Sequence, residues 1–378
     1  MTRILYHLGM PKTGTSLLQG TMARAVTALR AEGVLYPRAG RVGVAHHPLT
    51  QILREQGPVE RAAFLADLAA EVAAARAEGP EVRLALVSSE GMVNVCGVDT
   101  APDFAEFLAN PGAGLQGSAI IVLREMTSFL ESMYFQTTRF RAVDWNFDEF
   151  LGSRPKWMTN FLAGLTIIKS RMGEAFEIVV AAKGYDVLRT FEARLLLPDR
   201  FLDETSRTVA PTERPSLKGQ IALVHQPWLE AEVGFKIRRR VFSRLLSDQA
   251  VFEQDVANFT IYAPGQRAQL AATGIAIMEE AGFHDYAALT RALPPETLPH
   301  HVIDRASLTP ADIAAVAALR DTIEERPKID RATRQAMRRA SRQAARQDDA
   351  QVVKDIAMAK RRASRKAARV SPAAAHAD

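Results

Sequence analysis

Residues 3–18 read Arg-Ile-Leu-Tyr-His-Leu-Gly-Met-Pro-Lys-Thr-Gly-Thr-Ser-Leu-Leu. An apolar strand runs into the turn-forming residues Pro11, Lys12, Thr13, Gly14, Thr15 and Ser16. Beyond them Leu17, Leu18, Met22, Val26 and Leu29 recur at helical spacing. A strand that opens a helix through so tight a turn aims backbone N–H groups, the positive end of the helix, a lysine and three hydroxyls at one point. Such a point stabilises a phosphate. The order of residues is not that of the nucleotide-triphosphate loop, Gly-x4-Gly-Lys-Ser/Thr, in which the lysine follows the second glycine. Here Lys12 precedes Gly14.

A second segment, 118–136, repeats the pattern of strand and then helix. The apolar run from Ala119 to Leu123 ends at Arg124, and the helical stretch after it carries Ser132 eight residues on. Arginine suits anion binding because its planar fork donates in pairs and keeps its charge at any working pH. A plainer role is open to each residue alone: an ion pair of Arg124 with Glu125, and an exposed helix hydroxyl for Ser132.

The two segments together resemble the nucleotide-binding signatures of the sulfotransferases that use 3′-phosphoadenosine 5′-phosphosulfate. Their loop reads Pro-Lys-Thr/Ser-Gly-Thr-Thr/Ser, and they carry an arginine at a strand end and a serine eight residues later. The resemblance implies that Pro11 to Ser16 hold the 5′-phosphosulfate and that Arg124 and Ser132 grip the 3′-phosphate. It also implies a P-loop-like three-layer sandwich. Met126 and Phe129 stand where the family usually has a proline and a second arginine. A weaker likeness lies at 177–188, where a strand is followed by Tyr185-Asp186-Val187-Leu188, which resembles the family's Tyr-Glu-Asp-Leu and implies a structural role. The polar stretch 211–219 falls where relatives carry a loop near the nucleotide. The resemblance spans roughly residues 3–230.

Between these landmarks, strands alternate with helices. Val34, Leu35 and Tyr36 form a short strand stopped by Pro37, and a polar loop leads to His46, His47 and Pro48. An Ala-rich helix spans roughly 58–78, closed by Gly79-Pro80. A strand at 82–87 ends at Ser88, Ser89 and Glu90, and a helix at about 101–109 precedes the strand ending at Arg124. This alternation predicts an α/β fold with a central parallel sheet covered on both faces, whose ligands bind beyond the carboxyl ends of the strands. Three regions are expected: an α/β nucleotide-binding domain over 1–230, a mostly helical part over 231–325 that packs on or caps it, and a basic tail over 326–378.

The chain of 378 residues, 47% apolar, is long enough for a large core. Its single cysteine, Cys96, excludes an intramolecular disulfide and fits a reducing compartment. The absence of a signal-peptide pattern and of any long apolar run predicts a cytoplasmic protein. The net charge of +5 conceals an asymmetry: residues 326–378 carry 15 Lys and Arg against 5 Asp and Glu, which leaves residues 1–325 at −5. The tail is rich in Ala and Arg and poor in large apolar residues, so it reads as a solvated helical extension or a region drawn to an acidic surface such as anionic lipid or polysaccharide. It lacks the interleaved aromatics that base stacking needs, so no sequence-specific nucleic acid is expected.

On this resemblance the expected reaction moves a sulfuryl group in line to a hydroxyl or amine acceptor, with Lys12 at the bridging oxygen and no metal. The Thr15 or Ser16 hydroxyl would add a donor. The acceptor needs a base, and His46, Glu90 and then His47 are the candidates, each with a plain alternative as a loop residue or a helix cap. The other functions considered are a nucleotide or nucleoside kinase, which the lysine position disfavours, and a scaffold that works through the basic tail.

Overall fold

Five strands, β1 (Thr2–Leu8), β2 (Val34–Leu35), β3 (Leu84–Ser89), β4 (Leu115–Arg124) and β5 (Phe176–Ala181), make one sheet in the order β2-β3-β1-β4-β5. Every pairing is parallel. The architecture is seen in a computed structural model that describes residues 1–324 apart from 56, 113, 141–145, 153–154, 182–184, 207–215, 249–250, 253–254, 257–258 and 293–297. The expected basic tail and residues 211–215 of the expected polar loop lie outside the described residues.

β1 is central, so it is buried on both faces and its side chains alternate between two cores. Ile4, Tyr6 and Leu8 join Ala85, Val87, Ile121 and Leu123 on one face; Leu5 joins Leu84, Leu86, Ile120 and Val122 on the other. The Pro58–Glu78, Ala101–Ala109 and Met126–Phe140 helices supply the first core with Phe64, Phe104 and Leu130. The second is closed by Leu18, Met22 and Leu29 from the first helical stretch and by Phe191 and Leu195 of the Val187–Leu195 helix.

Pairing with β1 shifts the strand ends from where the apolar runs place them. β3 starts at Leu84 and continues through Ser88 and Ser89, both fully buried, and β4 extends over ten residues. The stretch from Thr15 to Gly33 breaks at Ala25 into two helices, Thr15–Arg24 and Val26–Ala31. Another helix, His47–Glu55, follows the second strand, where the sequence reads only a loop; Pro48 in its first turn is a helix-start signal.

The mostly helical stretch beyond 230 is seen as the Arg239–Asp248, Gln266–Glu280, His284–Ala292 and Pro310–Ala318 helices. It belongs with the sheet in one compact unit, Met1–Glu324. No helix among the described residues is long and apolar enough to cross a membrane.

Arg239 ties this stretch to the sheet layer. Its Nε donates to the Thr138 carbonyl at 2.8 Å and Nη2 donates to the same oxygen; Nη2 also reaches the Leu223 carbonyl at 2.5 Å, and Nη1 reaches Gln226 Oε1 at 2.6 Å. One guanidinium thus satisfies carbonyls near the C-terminal ends of two helices, Met126–Phe140 and Leu217–Val224, where acceptors lack helical donors. Burial draws its pKa down to about 10, so it stays charged at neutral pH. Arg239→Ala should lower stability by about 3 kcal/mol, read by denaturant titration, because the carbonyls are left without donors. Arg239→Lys should recover less than half of that, since an ammonium cannot span the same acceptors.

Candidate active site

Beyond the carboxyl ends of β1, β3 and β4 the chain turns three times within a small space. β1 leads toward β2 on one side of the sheet and β4 toward β5 on the other, so the crevice between β1 and β4 is the point at which the connections diverge. Leu8 pairs with Ser89 of β3 and Ile121 of β4. The ladder ends with the Gly9 N–H donating to the Ser89 carbonyl at 3.0 Å, which sets Gly9 beside Glu90. A Cβ on Gly9 would lie 2.6 Å from Thr15 Cγ2 and 2.9 Å from Glu90 Cα, so only glycine permits this approach.

The loop from Gly9 to Gly14 bends through two left-handed residues, Lys12 at φ 68° and Gly14 at φ 82°. For a lysine this conformation is uncommon and costs energy, a feature concentrated at functional sites. Thr13 and Thr15 hold the bend from inside: their hydroxyls donate to the Met10 carbonyl at 2.7 and 3.1 Å. These hydroxyls are therefore committed to the loop, and of the pair expected to offer a donor only Ser16 is exposed. The Thr15–Arg24 helix starts with no side-chain cap, so among the described residues no side chain satisfies its first N–H groups. Pro11 is half-buried at the loop's outer edge.

Tyr185-Asp186-Val187-Leu188 supports this loop from behind. Asp186 caps the Val187–Leu195 helix by accepting from the N–H groups of Leu188 and Arg189 at 2.9 and 3.2 Å. Val187 then sits where a Gly14 Cβ would be, 2.7 Å from it. The left-handed φ and this contact both require glycine at 14.

Arg124 leaves the end of β4 half-buried. Glu125, the neighbour it could have paired with, instead caps the Met126–Phe140 helix: its oxygens accept from the Thr127 and Ser128 N–H groups, each at 2.8 Å, and lie 3.5 Å from Arg267. Among the described residues no carboxylate lies within ion-pair distance of Lys12 or Arg124. Burial draws the Lys12 ammonium below its usual range; Arg139 and Arg124 push it the same way, and Glu90 opposes them. Burial also lowers Arg124, helped by Arg267 and opposed by Glu125 and Glu131. Arg139 and Arg124 thus add positive field at Lys12, whereas Arg124 itself stands among Glu125, Glu131 and Arg267.

Ser132, half-buried, lies on the helix that begins just after Arg124. Ser128, Ser132 and Arg139 fall on one stripe of that helix, and Arg139 reaches the field of Lys12. The sequence reading missed Arg139, although its place two turns beyond Ser132 was a usable signal. It also missed Arg267, whose Nη2 donates to Ser128 Oγ at 2.8 Å; nothing in the sequence links residues so far apart.

The three base candidates are in different settings. His46 is wholly buried; with Nε2–H donating to the Pro37 carbonyl at 3.0 Å, its Nδ1 accepts from the Ser88 N–H at 3.1 Å. Both nitrogens are thus spent on backbone, and a substrate hydroxyl could not reach the ring without opening the loop. His46 is a staple between the second and third strands, the plainer of its two expected roles. Glu90 stands half-buried at the mouth of the site. Burial raises its pKa, while His47 and Lys12 restrain the rise. His47 is exposed.

Among the described residues, an apolar pocket opens beside Arg124, lined by Met10, Phe129, Trp157, Phe161 and Met278. Trp157 stacks on Phe161 with ring centroids 5.2 Å apart. Tyr286 closes the pocket and donates its hydroxyl to the Arg124 carbonyl at 2.7 Å. A further cavity is lined by Tyr134, Asp148, His225, His300 and His301 and does not include Ser132.

Two buried imidazoles beneath the site, His7 and His46, have pKa values lowered by burial to about 3 and about 4. Unfolded, each takes a proton near 6.5, so the unfolded state binds more protons and stability falls as pH drops from about 6.5 towards 4. At pH 5 the loss should be roughly 2 kcal/mol per imidazole, read by denaturant titration at pH 7, 6 and 5. His46→Asn, less stable at pH 7, should show a shallower dependence. No protein-family model matches this chain, and no curated protein matches it.

Proposed function

We propose that the protein is a sulfotransferase that takes a sulfuryl group from 3′-phosphoadenosine 5′-phosphosulfate and passes it to an acceptor hydroxyl or amine. The observation that carries this reading is that Arg124, from the end of β4, reaches the field of Lys12 in the loop after β1, and among the described residues no carboxylate lies within ion-pair distance of either. A donor with two separated anionic groups would relieve both. The strand order and the loop after β1 support a P-loop-like architecture for the sheet, with the lysine ahead of the glycine disfavouring a triphosphate.

In this reading the uncapped start of the Thr15–Arg24 helix and the Ser16 hydroxyl hold the 5′-phosphate, and Arg124 with Ser132 holds the 3′-phosphate. Glu90 accepts the proton of the acceptor hydroxyl as its oxygen bonds to sulfur. The bond from sulfur to the bridging phosphate oxygen breaks, and Lys12 stabilises the charge that gathers on that oxygen. A cation there is worth more in the transition state than in the ground state. Burial favours Glu90 in the role because a carboxylate with a raised pKa is the stronger base.

Thermal-shift measurements should show stabilisation by 3′-phosphoadenosine 5′-phosphate, of a few kcal/mol at saturation, and none by ATP with magnesium. Arg124→Ala should abolish the response. Stabilisation by ATP with magnesium alone would establish the kinase reading, and no response to either would favour a scaffold. With a labelled donor and an acceptor panel, Lys12→Ala and Glu90→Gln should each lower turnover by about 100-fold or more while Glu90→Gln keeps nucleotide affinity.

A further inference from the structure

Tyr134 lines a second cleft from the Met126–Phe140 helix, two residues beyond Ser132 and therefore about 200° around the helix from it. The cleft has a volume of about 330 Å³, in the range of small-molecule sites. The pocket beside Arg124 has about 20 Å³, space for a single water. A buried carboxylate fixes the walls of the larger cleft. Glu131 accepts from Thr260 Oγ1 at 2.8 Å and from the Ile261 N–H at 2.9 Å, which pins this segment to the helix. Thr260 in turn pairs with the chain at His300: its N–H donates to the Pro299 carbonyl at 3.0 Å, and its carbonyl accepts from the His301 N–H at 2.9 Å. Gln266 Nε2 donates to Asp148 Oδ1 at 2.9 Å and ties the remaining wall to the same segment.

The lining divides into an apolar floor and a polar rim. Tyr134, Phe147 and Ile261 are buried, with the Tyr134 and Phe147 rings edge to face at 5.2 Å, whereas Asn146, Asp148 and His300 are exposed. Asn146 Oδ1 accepts from the Glu149 N–H at 2.9 Å. Among the described residues, Asn146 Nδ2, Asp148 Oδ2 and the His300 and His301 imidazoles make no hydrogen bond. Donors and acceptors thus stand side by side above an apolar surface. Neither lysine nor arginine is among the described lining residues, so no permanent cation there calls for an anion.

We propose that this cleft binds a neutral sugar ring, at a site separate from the transfer reaction. A sugar is apolar on its C–H face and polar at its edge, the same division as the lining. The C–H face packs on Tyr134, Phe147 and Ile261. The hydroxyls, each a donor and an acceptor, donate to Asp148 and exchange hydrogen bonds with Asn146, His300 and His301.

The test titrates the full chain with glucose, galactose, mannose, N-acetylglucosamine, cellobiose and lactose, read by calorimetry and ligand-observed NMR. At least one should bind with a Kd in the millimolar range or tighter. Asp148→Asn, which can keep the oxygen bonded by Gln266, and His300→Ala should each weaken that binding by about 10-fold or more without moving the thermal unfolding midpoint. The nucleotide 3′-phosphoadenosine 5′-phosphate should not displace the sugar, and its own effect on the protein should be the same in both variants. Failure of every sugar to bind overturns the proposal. Binding that either variant leaves intact, or that the nucleotide displaces, puts the sugar elsewhere and overturns it as well, as does tighter binding of ethanolamine or inorganic phosphate in the cleft. None of these outcomes depends on whether the protein transfers a sulfuryl group.

Discussion

The hydrogen bond from the Gly9 N–H to the Ser89 carbonyl is the last rung between β1 and β3, and the candidate site depends on it. It brings the loop after β1 against the chain after β3, and a glycine without a side chain lets Thr15 and Glu90 close on either side. On its other edge β1 pairs with β4, which carries Arg124 beyond the level of the loop. A slip in either register would separate Lys12 from Glu90 or from Arg124, and it would turn the buried side chains of β1 to the wrong core. The register is therefore held by apolar burial on both faces, and the site inherits its precision from the core.

The electrostatics follow from that placement. Desolvation, Arg139 and Arg124 all disfavour the charge on Lys12, and desolvation and Arg267 disfavour that on Arg124. The fold offsets part of this through carboxylates set to other tasks: Glu125 caps a helix, and Glu131 accepts from Thr260 Oγ1 at 2.8 Å and from the Ile261 N–H at 2.9 Å. Those carboxylates moderate the field without closing the crevice. A site arranged in this way gains most from a ligand that brings its own negative charge.

Rigidity around the site comes from polar groups buried with partners. Beneath the loop, Ser88 Oγ lies 2.9 Å from His7 Nδ1 and accepts from Gln19 Nε2 at 3.1 Å, while His46 clasps the Ser88 backbone. Glu90, one residue beyond Ser89, is thereby fixed from the side opposite the solvent. The helices after residue 230 reach the same region through Tyr286, whose hydroxyl holds the Arg124 carbonyl, and through Arg239 at the far end of the Met126–Phe140 helix. They belong to the support of the site as much as to its surroundings.

Much of this could be read from local pattern. The Pro58–Glu78 and Ala101–Ala109 helices fall on the expected residues because their periodicity and their closing signals are local. The strand-to-helix turn at 11–16 and the strand ending at Arg124 are legible for the same reason: turn chemistry and apolar runs act over a few residues. The sequence by itself thus determined the parallel α/β class, the strand-to-helix turn at 11–16 and the spacing of Arg124 and Ser132. It did not determine the strand order, the enclosure of His46, the commitment of the Thr13 and Thr15 hydroxyls, or the approach of Arg139 and Arg267. The Thr13 and Thr15 bonds to Met10 are local but need the bend of the loop, while the rest depend on segments from about forty to more than a hundred residues apart, for which no local periodicity exists.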